Sequence, residues 1–128
     1  MKDKGDPVVA DTSILIHYLN GDVSARAILE GHRIHISVVT EIELRTISRV
    51  RALEQDPILR LLGHCSIWDI SPLIKEKCII LRSGRRIKLA DSLIASTAIA
   101  LDLPLATSDK DFTALKDIHE VRLHKPKG

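Results

Sequence analysis

Aromatic side chains are scarce in this chain of 128 residues, although 45% of the residues are hydrophobic. Only Tyr18, Trp68 and Phe112 are aromatic. The apolar content predicts a globular fold with an aliphatic core and excludes a disordered chain. The shortage of aromatic platforms argues against base stacking as the way in which this protein holds nucleic acid.

Cysteines and long hydrophobic runs are also few. Cys65 and Cys78 lie in no metal-ligand pattern, so we expect two small core residues with reduced thiols rather than a disulfide. No apolar run approaches the ~20 residues that a membrane-spanning helix needs. The first residues, MKDKGDP, lack the apolar segment of a secretory signal. We therefore expect a soluble, cytoplasmic protein without a membrane contact.

The formal net charge is +2, which neither requires a polyanionic partner nor excludes one. The chain is long enough for one substantial core and too short for two. We therefore expect a single domain over residues 1–128, with residues 124–128 forming a loose tail.

Short apolar strands alternate with helices along the chain. We predict strands at PVVAD, RIHIS, CSIWDI and LPLATSD, with EVRL as a candidate fifth strand. Helices are predicted at TSILIHYLN, DVSARAILEG, residues 37–50, ILRLLG, SPLIKEKCIILRSG, LADSLIASTAIALD and DFTALKD. This alternation predicts an α/β fold with three layers, α/β/α, around a parallel sheet of four to five strands. Ligands of such sheets bind beyond the carboxyl ends of the strands.

Acidic residues stand where two of these strands end. Asp11 closes the first strand, and Asp109 follows LPLATS in the same way. An aspartate at such a place is also a good N-cap for the next helix, which is the alternative role for Asp11. Asp111 competes with Asp109, but it fits better as a cap for FTALKD or as a group that supports the acids from outside.

Glu43 lies on a helix face that the apolar pattern assigns to the core. At roughly 100° per residue, this face is formed by Val39, Ile42, Thr46, Ile47 and Val50. Glu43 falls inside the face, whereas Glu41 points away from it, to solvent. A carboxylate on a buried face needs a cation or a partner, because burying it alone costs several kcal/mol or forces protonation. The alternative is a buried ion pair with an arginine.

Asp91 stands where the alanine-rich stretch SLIASTAIAL starts. Capping that helix is its alternative role. Ile94, Ala98 and Leu101 share one face of the helix, so we expect tight packing that holds its N-terminal end firmly.

The topology allows four acids, Asp11, Glu43, Asp91 and Asp109, to meet at one edge of the sheet. Four carboxylates within a few ångströms cannot all stay ionised unaided, because like charges raise one another's pKa. A divalent metal ion removes this conflict. Mg²⁺ and Mn²⁺ prefer such oxygen ligands, whereas zinc favours histidine and cysteine. Ions of this kind activate water for phosphodiester hydrolysis.

Four stretches, VVADTSIL, ISVVTEIELR, LADSLIASTA and LATSDKDF, stand in this order along the chain. With these motifs the chain resembles PIN-domain nucleases, and among them the VapC toxins of toxin–antitoxin pairs. The resemblance covers nearly the whole chain and implies a PIN-like fold. One departure is ELRTIS, where many relatives have a glycine shortly after the Glu-Leu pair. It concerns the RNA-facing surface of that helix and leaves the acids in place.

The resemblance implies that the four acids coordinate one or two Mg²⁺ or Mn²⁺ ions and support RNA cleavage by an activated water. It matches Ser13 and Thr107 to hydroxyl positions that line the metal pocket, with Asp111 as a further supporting residue. The implied substrate is RNA, such as tRNA or rRNA. The implied partners are a second copy of the chain, in a homodimer, and a small VapB-like antitoxin.

A basic stretch, RSGRRIK, lies just before Asp91. Its basic residues, Arg82, Arg85, Arg86 and Lys88, are candidates for contact with RNA phosphates. The alternative is a solvated loop that is basic without such a role.

Three other functions stay open on the sequence alone. One is a PIN-type RNA-processing nuclease without an antitoxin. Another is a phosphoacceptor signalling module, which also binds Mg²⁺ at the carboxyl edge of a parallel sheet and for which Asp69 and Lys110 are suitably placed. That module leaves Glu43 without a role. The third is a metal-free interaction domain whose acids are helix caps.

Overall fold

Five parallel strands form one sheet within residues 5–50 and 55–125, the part of the chain that the computed structural model describes. The strands are β1 (Pro7–Ala10), β2 (Arg33–Ser37), β3 (Ser66–Trp68), β4 (Leu105–Thr107) and β5 (Val121–Leu123). Their spatial order is β3-β2-β1-β4-β5, and every neighbouring pair is parallel. The predicted parallel sheet is confirmed, and the EVRL stretch supplies its fifth strand.

Six α-helices and one 3₁₀ helix accompany these strands in the described ranges. They are α1 (Thr12–Leu19), α2 (Val23–Leu29), α3 (Val38–Val50), α4 (Gln55–Gly63), α5 (Pro72–Ser83), α6 (Leu89–Leu101) and the 3₁₀ helix Lys110–Leu115. The predicted helix DFTALKD is thus a 3₁₀ segment. Within the described residues, none of these helices has the length and apolar character of a membrane span.

Two apolar clusters cover the two faces of the sheet. Val8 and Ala10 belong to the cluster that includes residues of α1, α2 and α4, whereas Val9 belongs to the cluster with residues of α5 and α6. Successive residues of a strand point to opposite faces, so β1 is buried on both sides. The predicted α/β/α layering is therefore confirmed, and β1 occupies the centre of the sheet.

The core-facing side of α3 differs from the sequence prediction. The buried residues of this helix are Thr40, Leu44 and Ser48, whereas Ile42 is 58% exposed and Thr46 is also exposed. The apolar pattern fails here because the buried face contains two hydroxyl residues. The side chain of Val50, which the prediction placed in the core, lies outside the description.

The end of the chain also differs from the prediction. The sequence predicts a loose tail from residue 124, but His124 is 1% exposed. Its backbone N–H donates to the carbonyl of Thr107 (2.6 Å). The tail prediction is wrong at His124, because this residue continues the contact between β5 and β4. Residues 126–128 of the predicted tail lie outside the described residues.

Candidate functional site

Asp11 follows the last residue of β1 and is 2% exposed. Its carboxylate accepts a hydrogen bond from the backbone N–H of Ile14 (3.0 Å), which caps α1. It also accepts from the hydroxyl groups of Ser13 (2.8 Å) and Thr107 (2.5 Å). Asp11 therefore takes the N-cap position that the sequence analysis gives as its alternative role. The capping hydrogen bond holds the Asp11 carboxylate at the carboxyl edge of the sheet.

Burial makes the charged form of Asp11 unfavourable. Desolvation raises the pKa of this carboxyl from 3.8 to about 6, and the charge of Asp109 acts in the same direction. The hydrogen bonds from Thr107, Ile14 and Ser13 oppose the rise but do not cancel it. Such a carboxylate is stabilised by a cation.

Glu43 reaches the same edge from α3. The Thr12 hydroxyl donates to Oε1 of Glu43 (2.6 Å) and lies 3.2 Å from the hydroxyl of Thr40. Glu43 is partly exposed, so it lies beside the buried face of α3 and not in its centre. Thr12 directly follows Asp11, and it therefore connects two of the four acids. Sequence reasoning missed Thr12, although its place in the Asp-Thr-Ser motif is a usable signal.

Glu41 is less exposed than the sequence predicts. Its side chain is 26% exposed and lies 3.7 Å from the guanidinium of Arg45, one helical turn away. Glu41 and Glu43 thus flank the buried face of α3 from opposite sides. Only Glu43 approaches the N-terminal end of α1.

Asp91 lies in the first turn of α6, whose N-cap is Lys88. The pKa of Asp91 is raised, first by burial and then by the charges of Asp109, Glu43 and Asp111, while Lys88 opposes the rise. Asp91 lies inside the helix, so the capping alternative is wrong. Asp91 is thus electrostatically coupled to Asp109 and Glu43.

Asp109 follows β4 and caps the 3₁₀ helix. Its Oδ1 atom accepts from the backbone N–H of Asp111 (2.9 Å). Its own backbone N–H donates to the hydroxyl of Thr107 (2.9 Å), which in turn donates to Asp11. The prediction of Asp111 as the cap is wrong, because Asp109 takes that position and Asp111 is exposed in the first turn.

The four acids thus come from four different places in the fold, after β1, on α3, at the start of α6 and after β4. In the described ranges, none of them forms an ion pair with lysine, arginine or histidine. The same ranges contain no three histidine, cysteine, aspartate or glutamate side chains close enough to form a ready-made metal cage. The available donors are carboxylate and hydroxyl oxygens, the ligands that Mg²⁺ and Mn²⁺ prefer.

A cleft of about 700 Å³ opens beside Asp91. Four basic residues contribute to its lining: Arg85, Arg86, Lys88 and Lys110. The sequence predicts the first three as RNA contacts, but it relates Lys110 only to the signalling alternative. Lys110 belongs to the 3₁₀ helix, so basic side chains stand on two separate segments that line the cleft.

Two of the predicted basic candidates have contacts of their own. Arg82 does not line this cleft but a neighbouring one of about 540 Å³, and its Nε donates to the carbonyl of Ile87 (3.4 Å). The guanidinium of Arg85 lies 3.6 Å from the carboxylate of Asp117. Arg86 and Lys88 are exposed, which leaves them with Lys110 as the better placed cations of the first cleft.

Asp69 and Lys110 do not form one site. Asp69 follows β3 and Lys110 follows β4, and both β2 and β1 lie between these strands. At ~4.8 Å between neighbouring strands, β3 and β4 are roughly 14 Å apart. This separation argues against the phosphoacceptor alternative.

Three comparisons with known proteins place the chain among similar ones. A family model described as PIN domain matches residues 8–118. The chain is 34% identical to Ribonuclease VapC10 of Mycobacterium tuberculosis (strain CDC 1551 / Oshkosh) over 134 aligned residues, which cover 94% of this chain and 99% of that protein. A toxin–antitoxin complex from Klebsiella pneumoniae contains a chain with 32% identity and a TM-score of 0.75, covering 84% of this chain and 92% of that chain. A chain of VapBC-5 from Mycobacterium tuberculosis, a member of the VapBC family of toxin–antitoxin systems, has 27% identity and a TM-score of 0.64. The match covers 93% of this chain and 98% of that chain.

Proposed function

Because the chain belongs to the PIN-domain family, we propose that it is a metal-dependent endoribonuclease and the toxin of a toxin–antitoxin pair. The observation that supports this proposal is the electrostatic coupling between acids at the carboxyl edge of the sheet: Asp109 acts on both Asp11 and Asp91, and Glu43 acts on Asp91. The predicted resemblance to VapC-type proteins is confirmed by the similar chains, one of which is named a ribonuclease.

The four acids are the residues that would hold the metal ion. Their oxygen atoms suit Mg²⁺ or Mn²⁺ better than zinc. Burial, together with the charge of Asp109, raises the pKa values of Asp11 and Asp91, and a cation between the carboxylates would reverse this effect. When bound, such an ion supplies an activated water and stabilises the leaving oxygen in phosphodiester hydrolysis.

Neighbouring hydroxyl groups fix the orientation of two of the acids, Asp11 and Glu43. Ser13 and Thr107 both donate to Asp11, and Thr12 donates to Glu43. Hydrogen bonds of this kind keep a metal ligand in the orientation that the ion requires. We therefore assign Ser13 and Thr107 as supporting residues, as the sequence predicts, and add Thr12.

The cleft beside Asp91 binds the RNA strand through its phosphates. Arg86, Lys88 and Lys110 provide positive charge next to the acids. Phe112 also borders the cleft, but it is 2% exposed and therefore offers no surface for base stacking. This arrangement favours contacts with the backbone of the RNA rather than with its bases.

The partners of the protein follow from its relatives. Solved structures of similar chains are toxin–antitoxin complexes, so we expect a small VapB-like antitoxin. The homodimer of this chain stays a prediction from the sequence resemblance. We expect tRNA or rRNA as the substrate and the cytoplasm as the place of action. An RNA-processing nuclease without an antitoxin would use the same acids, and it differs only in lacking that inhibitor.

The test is cleavage of a panel of structured RNAs, tRNAs included, with Mg²⁺ or Mn²⁺. We expect discrete cuts that disappear with EDTA and in Asp11→Asn. The matched control is Asp69→Asn, which removes an exposed acid that follows another strand of the same sheet and should leave cleavage unchanged. Cuts that persist in Asp11→Asn, or a protein that neither cleaves RNA nor binds Mn²⁺, would overturn the proposal.

A further inference from the structure

His124 follows β5 and is buried, with 1% of its surface exposed. Its backbone N–H donates to the carbonyl of Thr107 (2.6 Å). Its ring Nδ1 lies 2.7 Å from the hydroxyl of Ser108, and its ring Nε2 lies 2.8 Å from the hydroxyl of Ser24. Both ring nitrogens therefore have hydrogen-bond partners, and one partner is the residue next to Asp109.

Asp22, the N-cap of α2, sets the direction of these hydrogen bonds. The Ser24 hydroxyl donates to Asp22 (2.6 Å) and is the main cause that lowers the pKa of this carboxyl to about 2, so Asp22 is ionised. Because Ser24 has one proton to donate, its oxygen accepts from Nε2–H of His124. The same Nε2 also lies 3.4 Å from Oδ1 of Asp22, and Nδ1, on the other side of the ring, pairs with the Ser108 hydroxyl. A chain of hydrogen bonds thus runs from α2, through the ring of His124, to the loop after β4.

Ser108 stands between two residues that belong to the site. Thr107 before it donates to Asp11, and Asp109 after it is one of the four acids. The backbone N–H of Ser108 donates to the hydroxyl of Ser13 (3.1 Å), which itself donates to Asp11. A group that holds Ser108 therefore holds both Asp109 and the hydroxyl partners of Asp11.

We propose that His124 is a positioning residue of this site. It fastens residues 107–109 through its backbone and its ring, so that Asp109 and Thr107 are aimed at the position of the metal ion. The proposal rests on the proposed function, because it concerns the same four acids. A histidine that only packs β5 against α2 would stabilise the fold without affecting metal affinity, and the two roles give different results in the following experiment.

The experiment compares variants that keep different halves of the ring contact. His124→Asn places a polar atom near the position of Nδ1 and keeps a contact with Ser108, whereas His124→Gln places one near Nε2 and keeps only the contact with Ser24. His124→Ala removes both. The matched control is His119→Ala, which removes another partly buried histidine, one that contacts the carbonyl of Leu103.

Mn²⁺ affinity is measured by titration calorimetry on each folded variant. We expect His124→Ala and His124→Gln to bind Mn²⁺ up to about 10-fold more weakly than the wild type, the lower end of the effect of losing a direct partner of a ligand, because the ring acts on the acids through Ser108. His124→Asn should recover most of the affinity, and His119→Ala should retain it. Ser108→Ala should lower the Mn²⁺ affinity as much as His124→Ala does. The variant with both substitutions should bind Mn²⁺ no more weakly than either single variant.

Hydrogen exchange of the metal-free protein gives a second readout. The backbone amides of Ser108 and Asp109 donate to Ser13 and Thr107, and both amides should exchange faster in His124→Ala but not in His119→Ala. RNA cleavage should show a lower kcat with an unchanged KM, because the RNA-binding cleft is not altered.

The outcomes separate this proposal from the proposed function. If the wild type binds Mn²⁺ and Asp11→Asn does not, the four-acid site stands. Equal affinities in wild type and His124→Ala would then overturn only the positioning role. The same conclusion would follow if His124→Asn and His124→Gln lost affinity equally. If the wild type binds no Mn²⁺, both proposals fail together.

Discussion

At the scale of single residues, Asp11 is held more firmly than an N-cap or a surface carboxylate requires. Asp11 is buried and accepts hydrogen bonds from one backbone N–H and from two hydroxyl groups. These donors favour its charged form, whereas burial opposes it and is the larger effect. The orientation of the side chain is therefore fixed, and its charged form is energetically unfavourable. A bound cation would stabilise this charged form.

The free energy of unfolding of the metal-free protein should depend on the ionisation of Asp11. The folded-state pKa of about 6 lies above the ordinary value of 3.8, so the folded state holds the proton more tightly. The stabilisation from protonated Asp11 is present below the ordinary value and is lost as the pH rises through about 6. At higher pH, a pKa shift of this size means that the charged Asp11 lowers the free energy of unfolding by about 3 kcal/mol.

We expect Asp11→Asn in EDTA to be more stable than the wild type at about pH 8, and this gain to shrink towards about pH 4. Urea unfolding across this pH range measures it. Asp69→Asn, at an exposed position, is the control and should show no such trend. A gain of the same size at every pH would mean that Asp11 is not buried as a charge in the folded protein.

At the scale of elements, the strands and their terminal acids could be predicted, because a short apolar run that ends in an acid at a helix start has few other interpretations. The orientation of α3 could not be predicted in the same way. Its buried face includes Thr40, whose hydroxyl meets that of Thr12, and a pattern that counts only apolar side chains overlooks such a partner. Thr40 thus occupies the buried face, whereas Ile42, which the apolar pattern assigns to that face, is exposed.

Alanine substitutions can test the orientation of α3 directly. Leu44 is 1% exposed and belongs to the core cluster shared with α1, whereas Ile42 is 58% exposed. We expect Leu44→Ala to lower the free energy of unfolding by about 2–5 kcal/mol because it leaves a cavity. Ile42→Ala should change it by about 0.5 kcal/mol or less. Chemical denaturation measures both, and a larger loss in Ile42→Ala would restore the orientation that the sequence predicts.

At the scale of the whole molecule, the strand order brings two of the four acids to adjacent strands. β1 pairs directly with β4, so Asp11 and Asp109, which lie 98 positions apart in sequence, follow neighbouring strands. The repeated pattern of strand and acid predicts this meeting. The contacts of Thr12 with Glu43 and of His124 with Ser108 could not be predicted, because each joins residues from separate elements whose relative placement depends on the packing of the entire domain.

The distribution of positive charge leads to a prediction about RNA binding. Lys88 and Lys110 line the cleft from two separate segments, close to Asp91. Each phosphate contact that is lost lowers the steepness of the salt dependence of binding, by about 0.7 for a single strand in a plot of log K against log salt concentration. Arg60 on α4 does not line this cleft, which makes it a suitable control.

We therefore expect Lys110→Ala and Lys88→Ala each to bind single-stranded RNA more weakly in EDTA and with a salt dependence that is less steep by about 0.7. In the double variant, the salt dependence should be less steep by about twice this amount, because the two residues contact different phosphates. Arg60→Ala should keep the slope of the wild type. Fluorescence anisotropy over a series of salt concentrations measures these slopes. If Arg60→Ala changed the slope as much as Lys110→Ala, the RNA would be bound by the overall charge of the protein, and the cleft beside the acids would not be its specific path.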